Sequence, residues 1–191
     1  MGCANSRDGD KKINILLLGL DQSGKSTLLY LLNEIEDLEP YYETKGSQYY
    51  EVQKGQAKLG FHETGGSDKF RSQWLNDLPY TDAIFYFIDS NDKARMNESL
   101  QELKKILSDA KTQPYPVFVF FNKLDKGKGP EFEGLKKQVE EIFAGRKAHH
   151  KIFGVSCLKP ETVNAPIDEV VDYFYPSCVM MQPKRLSKKS S

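Results

Sequence analysis

The chain has 191 residues, with 27 Lys+Arg balancing 27 Asp+Glu, 39% apolar residues and 12% aromatics. That length and composition suit one domain with a full core and exclude a disordered, fibrous or repeat architecture; the balanced charge removes any electrostatic case for nucleic acid as the main partner. The longest apolar runs, residues 15–18 and 83–88, fall far short of the roughly 20 residues of a bilayer span. No signal-type apolar stretch follows Met1, and the three cysteines (Cys3, Cys157, Cys178) are odd in number and scattered. Both features fit a reducing, cytoplasmic setting better than a disulfide scaffold, so any membrane attachment is expected to come from added lipid.

Residues 1–12 are polar, and the first apolar run, 13–18, is bounded by Gly19 and reads as a buried strand. Leu28, Leu31, Leu32 and Ile35 recur at helical spacing over 27–38, so strand, glycine turn and helix follow in order. Residues 49–52 and 58–62, separated by Lys54-Gly55, read as a hairpin. Strands are predicted at 83–89, 117–121 and 152–156, and helices at 97–109, 135–143 and 167–174. Alternating strands and helices predict an α/β sheet, mostly parallel and covered on both faces. The division is a flexible N-terminus at 1–12, a nucleotide-binding domain at 13–176 and a basic tail at 177–191.

The strongest motif is Gly19-Leu20-Asp21-Gln22-Ser23-Gly24-Lys25-Ser26, which fits G-x-x-x-x-G-K-[ST] between a predicted strand and helix. Its glycines let backbone N–H groups, including those of Asp21, Gln22, Ser23 and Thr27, converge on phosphate oxygens, and the helix adds its positive end. Lys25 would reach the β- and γ-phosphates, and the Ser26 hydroxyl would ligate Mg²⁺. Asn122-Lys123-Leu124-Asp125 ends the 117–121 strand, on the side where open α/β sheets bind ligands. The Asp125 carboxylate can accept from the N1–H and exocyclic amine of guanine, a donor pair that adenine lacks. Ser156-Cys157-Leu158 would end the next strand and offer the Cys157 N–H to the guanine carbonyl. After the hairpin, Glu63-Thr64-Gly65-Gly66-Ser67 lets the Gly66 N–H approach a γ-phosphate and Glu63 reach the metal through water; Thr44 would complete the metal shell.

These stretches together resemble the Arf and Arf-like branch of the Ras-type small GTPases, over nearly the whole chain. The resemblance is carried by residues 19–27 (GLDQSGKST), 63–71 (ETGGSDKFR), 89–92 (DSND), 122–125 (NKLD) and Trp74. It implies the P-loop small GTPase fold, an α/β domain with a six-stranded, mostly parallel sheet whose strand at 49–52 runs antiparallel. It also implies GTP/GDP and Mg²⁺ as cofactors, with loops around Thr44 and Gly65 that close on the γ-phosphate and relax after hydrolysis. The α subunits of trimeric G proteins share these motifs, but only 18 residues separate Lys25 from Thr44, too few for their inserted helical domain. A small-molecule P-loop kinase would need an acceptor site and lid for which no segment is available.

The departures from the family pattern carry their own expectations. Ser67 takes the place of the glutamine that orients the attacking water, and its hydroxyl is too short to do the same. Glu63 replaces an aspartate. No arginine lies between Ile35 and Ser47 to act as a finger in cis, and a finger supplied in trans, worth roughly 10³–10⁵ in rate, normally works beside the glutamine. Hydrolysis is therefore expected to be slow, with Ser67, Gly66 and Lys25 at the catalytic positions; Asp68 or a partner's side chain could instead place the water. An aromatic trio across the two mobile loops of the family falls on Ser47, Trp74 and Asp77, so only one aromatic anchor remains, and the usual effectors are expected to be lost.

Met1-Gly2-Cys3-Ala4-Asn5-Ser6 fits the myristoylation pattern at Gly2, with Cys3 placed for palmitoylation. A single acyl chain holds only marginally, whereas two anchor stably. Residues 3–12 hold no Leu, Ile, Val or Phe, so no amphipathic N-terminal helix is expected and attachment should depend little on nucleotide. The expected protein is a monomeric, lipid-anchored GTP switch, peripheral on membranes and engaged in traffic, with an exchange factor, an activating protein and effectors of unstated identity. The alternative is a GTP-locked scaffold with negligible catalysis.

Overall fold

The computed structural model describes residues 12–35, 43–127 and 131–176. Six strands, β1 (Lys12–Gly19), β2 (Ser47–Lys54), β3 (Ala57–Thr64), β4 (Ala83–Asp89), β5 (Val117–Asn122) and β6 (His150–Gly154), form one sheet in the order β2-β3-β1-β4-β5-β6. Only the β2–β3 pair is antiparallel; the other four pairings are parallel. Five helices accompany the sheet among the described residues: α1 (Lys25–Leu32), α2 (Asp68–Arg71), α3 (Met96–Ser108), α4 (Glu131–Ile142) and α5 (Pro160–Phe174).

Central strands read as unbroken apolar runs because both their faces are covered. Period-two alternation sends Ile15, Leu17, Phe85, Phe87, Phe118 and Phe120 to one face, against Leu28 and Leu29 of α1 and Val163, Ile167, Val170 and Val171 of α5. Leu16, Leu18, Ile84, Tyr86, Val119 and Phe121 go to the other, against Leu100, Leu103 and Ile106 of α3 and Val139 of α4. Phe87 and Phe120 stack with ring centroids 4.9 Å apart. At roughly 1.5–3 kcal/mol for each large apolar side chain removed from water, these two layers hold the strand order in place. The register sets Gly19 beside Phe87 and Asp89 beside Asn122, so β4 and β5 end level, β1 ends two residues earlier, and all three deliver their following loops to one edge.

Several predicted bounds shift. α1 starts at Lys25 and ends at Leu32, where Asn33 caps it, rather than running over 27–38; residues 36–38 lie outside the described residues. α5 begins at Pro160 instead of residue 167 and carries Pro166 in its interior. Pro160 opens the helix with its φ already set, and burial of Val163 and Ile167 holds it across Pro166. α4 begins four residues early, and β6 spans 150–154, so Ser156-Cys157-Leu158 lies in the loop beyond it. His149-His150 belongs to packed structure: His150 opens β6 and stacks on Phe143 at 4.2 Å, and His149 stacks on Tyr173 at 4.5 Å. No helix among the described residues is long and apolar enough to cross a membrane.

Candidate functional site

At this strand edge lies a cavity of about 570 Å³. The phosphate loop beside it turns on three residues of positive φ, Gly19 (φ 135°), Gln22 (φ 61°) and Gly24 (φ 96°). A Cβ on Gly24 would stand 2.0 Å from Asn122 Nδ2, so only glycine lets the loop pack against the base end. Lys25 is 5% exposed and donates through Nζ to the carbonyls of Gly19 (2.8 Å) and Leu20 (2.9 Å). Burial pulls its ammonium down to about 8.

Across from it, three oxygens meet. Ser26 Oγ donates to Glu63 Oε1 at 2.6 Å, Thr44 Oγ1 donates to the same oxygen at 3.4 Å, and the two hydroxyls lie 3.3 Å apart. Glu63 is 1% exposed at the end of β3, and its Oε2 is buried with no hydrogen-bond partner. Burial raises the pKa of this carboxyl against the opposing pull of Ser26 and Lys25. An orphaned buried carboxylate oxygen beside two hydroxyls fits a hard divalent cation that also takes phosphate oxygens. Among the described residues no group of three or more His, Cys, Asp or Glu could hold a metal by itself.

Gly66 lies directly on the phosphate loop: a Cβ there would be 2.1 Å from the Asp21 nitrogen and 2.2 Å from the Leu20 carbonyl carbon. The segment is pinned from below. Trp74 Nε1 donates to the Gly65 carbonyl at 2.9 Å, and Arg71 Nε donates to the Gly66 carbonyl at 3.0 Å while its NH1 pairs with Glu98 at 2.7 Å. Trp74 is thus 2% exposed, which corrects the expectation of an aromatic anchor for effectors there. The other two trio positions meet each other, Ser47 Oγ donating to Asp77 Oδ2 at 3.0 Å. Ser67 precedes α2 but its hydroxyl caps nothing and is buried without a partner.

The base end is a tight web. Asn122 donates to the Ser23 carbonyl (2.9 Å) and accepts from the Cys157 N–H (3.0 Å), so that N–H is occupied by Asn122 and not free for guanine as predicted. Ser156 Oγ donates to Asp125 Oδ1 at 2.6 Å, and this bond chiefly holds the exposed Asp125 carboxyl below its ordinary range. Lys123 sits at φ 66° and pairs with Asp89 at 2.7 Å. Burial pushes the Cys157 thiol up to about 12, so it stays protonated and inert.

Of the residues picked from sequence, Asp21, Gln22, Gly24, Lys25, Ser26, Thr27, Thr44, Glu63, Gly66, Asn122, Lys123, Asp125, Ser156, Cys157 and Leu158 all line the cavity. Gly19, Ser23 and Ser67 are not part of its wall. Glu43 and Lys126 line it and were not anticipated, although each adjoins a picked residue. Arg95 was missed as well: from the start of α3 it pairs with Asp21 (2.9 Å) and Asp92 (2.7 Å), and only its three-residue spacing from Asp92 hinted at it. Gly2, Cys3 and Cys178 lie outside the described residues.

The fold and this cavity define a P-loop nucleotide-binding protein of the small-GTPase class. The model of the ADP-ribosylation factor family matches residues 3–174, and the chain belongs to that family. The chain is similar to the ADP-ribosylation factor-like protein 3 of Caenorhabditis elegans, at 34% identity over 169 residues (87% of this chain and 90% of that protein). It is also similar to the protein of the same name from Chlamydomonas reinhardtii, at 37% over 119 residues (62% of this chain, 66% of that one). In fold it matches the Arl6 BBS3 small GTPase of Trypanosoma brucei, solved with the nucleotide analogue GppNp, with a TM-score of 0.74 and 23% identity over 85% of this chain and 97% of that one.

Proposed function

We propose that the chain is a membrane-peripheral GTP switch whose own hydrolysis is slow. One observation carries this: a single cavity gathers the phosphate loop, the Ser26–Thr44–Glu63 oxygens, Gly66 and the Asn122–Asp125 base end. In this reading the N–H groups of residues 21–27 and Lys25 hold the phosphates, Lys25 exchanging its two loop carbonyls for β- and γ-phosphate oxygens. Ser26, Thr44 and Glu63 would hold Mg²⁺, which when bound supplies positive charge between the β- and γ-phosphates. Asp125 takes the guanine N1–H and amine, and Gly66 offers its N–H to a γ-phosphate. Family membership supports guanine-nucleotide binding and switching in general.

Slow hydrolysis rests on Ser67, whose short hydroxyl is outside the cavity wall. The same observation favours a second reading, a GTP-locked scaffold. Single-turnover hydrolysis by protein loaded with GTP and Mg²⁺ separates them. A slow but measurable rate that Ser67→Gln raises roughly tenfold, about 1.4 kcal/mol of barrier, supports the switch. No turnover in either form supports the scaffold, and fast turnover by the unaltered chain refutes both. Acylation at Gly2 and Cys3, with membrane traffic as the setting, belongs to the same proposal; loss of membrane association on Gly2→Ala tests it.

A further inference from the structure

We propose that Glu63 binds the divalent cation directly, as an inner-sphere ligand, instead of reaching it through a water molecule. The inference rests on the nucleotide-site reading above and deepens it at one residue. In an octahedral Mg²⁺ shell with metal–oxygen distances of about 2.0–2.1 Å, neighbouring oxygens stand about 2.9 Å apart. Ser26 Oγ, Thr44 Oγ1 and Glu63 Oε1 are separated by 2.6, 3.3 and 3.4 Å, which brackets that edge on all three sides. They form one face of such an octahedron, needing shifts of only a few tenths of an ångström to close on one ion.

The reason lies in chain length. β3 pairs with β1 in fixed register, Glu63 beside Leu17, so the backbone at 63 cannot advance or retreat. An aspartate there would leave its carboxylate one methylene short, with room for a water between it and the ion. The extra methylene of Glu63 carries Oε1 onto the hydroxyls themselves. Its other oxygen, Oε2, is buried, unpartnered and on a residue that lines the cavity. The opposite face of the octahedron then holds two phosphate oxygens and one water, where an aspartate-bearing site would keep two.

Counting waters tests this without reference to activity. The full chain is loaded with Mn²⁺ and GppNp, and the Mn²⁺ resonance is recorded in ¹⁷O-enriched water, whose broadening reports the number of bound waters. The expected count is one for the natural chain and two for Glu63→Asp, with a roughly tenfold weaker Mn²⁺ affinity in the variant. Two waters in the natural chain, unchanged by the substitution, overturn direct ligation while leaving the nucleotide site intact. Absence of any nucleotide-dependent Mn²⁺ signal overturns the site reading as well. Should Glu63→Asp fail to fold, the count in the natural chain still decides: one water supports direct ligation and two overturn it.

Discussion

The two ends of the cavity are built on different terms. At the base end each group is already bonded: Asn122 bridges the phosphate loop to Cys157, Ser156 clasps Asp125, and Lys123 pairs with Asp89. At the phosphate end the loop follows its motif, but the segment covering it carries unmet groups, Glu63 Oε2 and Ser67 Oγ, and a lysine that settles for carbonyls. The difference teaches where this chain has kept its family's chemistry and where it has departed. The groups at the base end support one another through these bonds. The segment over the phosphate end is held by Trp74 and Arg71, and it is there that Glu63 and Ser67 depart from the family pattern.

The largest test breaks the base end. Asp125→Asn removes two charge-assisted hydrogen bonds worth roughly 1.5–3 kcal/mol each. GDP affinity should fall at least ~100-fold, and preference should pass to xanthosine diphosphate, whose C2 oxygen accepts from the new amide; displacement of a fluorescent GDP reads both. Unchanged GDP affinity would remove Asp125 from the site. Next comes the cover. Gly66→Ala forces a methyl into the backbone of Leu20 and Asp21, so nucleotide-free protein should lose about 1–3 kcal/mol in urea denaturation. Retained stability would mean that Gly66 does not rest on the loop.

The smallest effect is one of pH. Burial lowers Lys25 from its ordinary 10.5 to about 8 in the folded, nucleotide-free protein. Between those values the unfolded chain binds the extra proton, so stability rises with pH across that window and is flat in this respect below it. Denaturation at pH 7.5 and 9.5 should show a gain of about 1–2 kcal/mol, absent in Lys25→Met. Nucleotide binding at pH 9 should take up a proton, because phosphates restore the charged lysine; buffer-dependent binding enthalpies measure this.

The phosphate loop and the Asn122–Asp125 turn were legible because each works through contiguous residues, whose glycines and carboxylate announce the chemistry at fixed spacing. Thr44, picked by its spacing from Gly65, comes within 3.3 Å of Ser26 Oγ and 3.4 Å of Glu63 Oε1, although nothing local distinguishes a loop threonine. Other features depend on residues far apart in the chain. Arg95 reaches Asp21 across 74 positions, and Ser47 meets Asp77 across 30. The Cys157 N–H turned to Asn122 instead of the cavity, and the indole of Trp74 turned inward to Gly65, because buried donors take the nearest acceptor that the packed elements offer.

The positions of strands and helices and the two binding motifs were thus written in local pattern: periodicity decides burial, and glycine decides where backbone N–H groups can turn inward, whereas the strand order emerged only with the assembled sheet. Tertiary structure alone decided the contact of Glu63 with Ser26 and Thr44, the burial of Trp74 and the bridge through Asn122. Each of these depends on distances of a few tenths of an ångström between separate elements, and such distances exist only once the sheet has set its register.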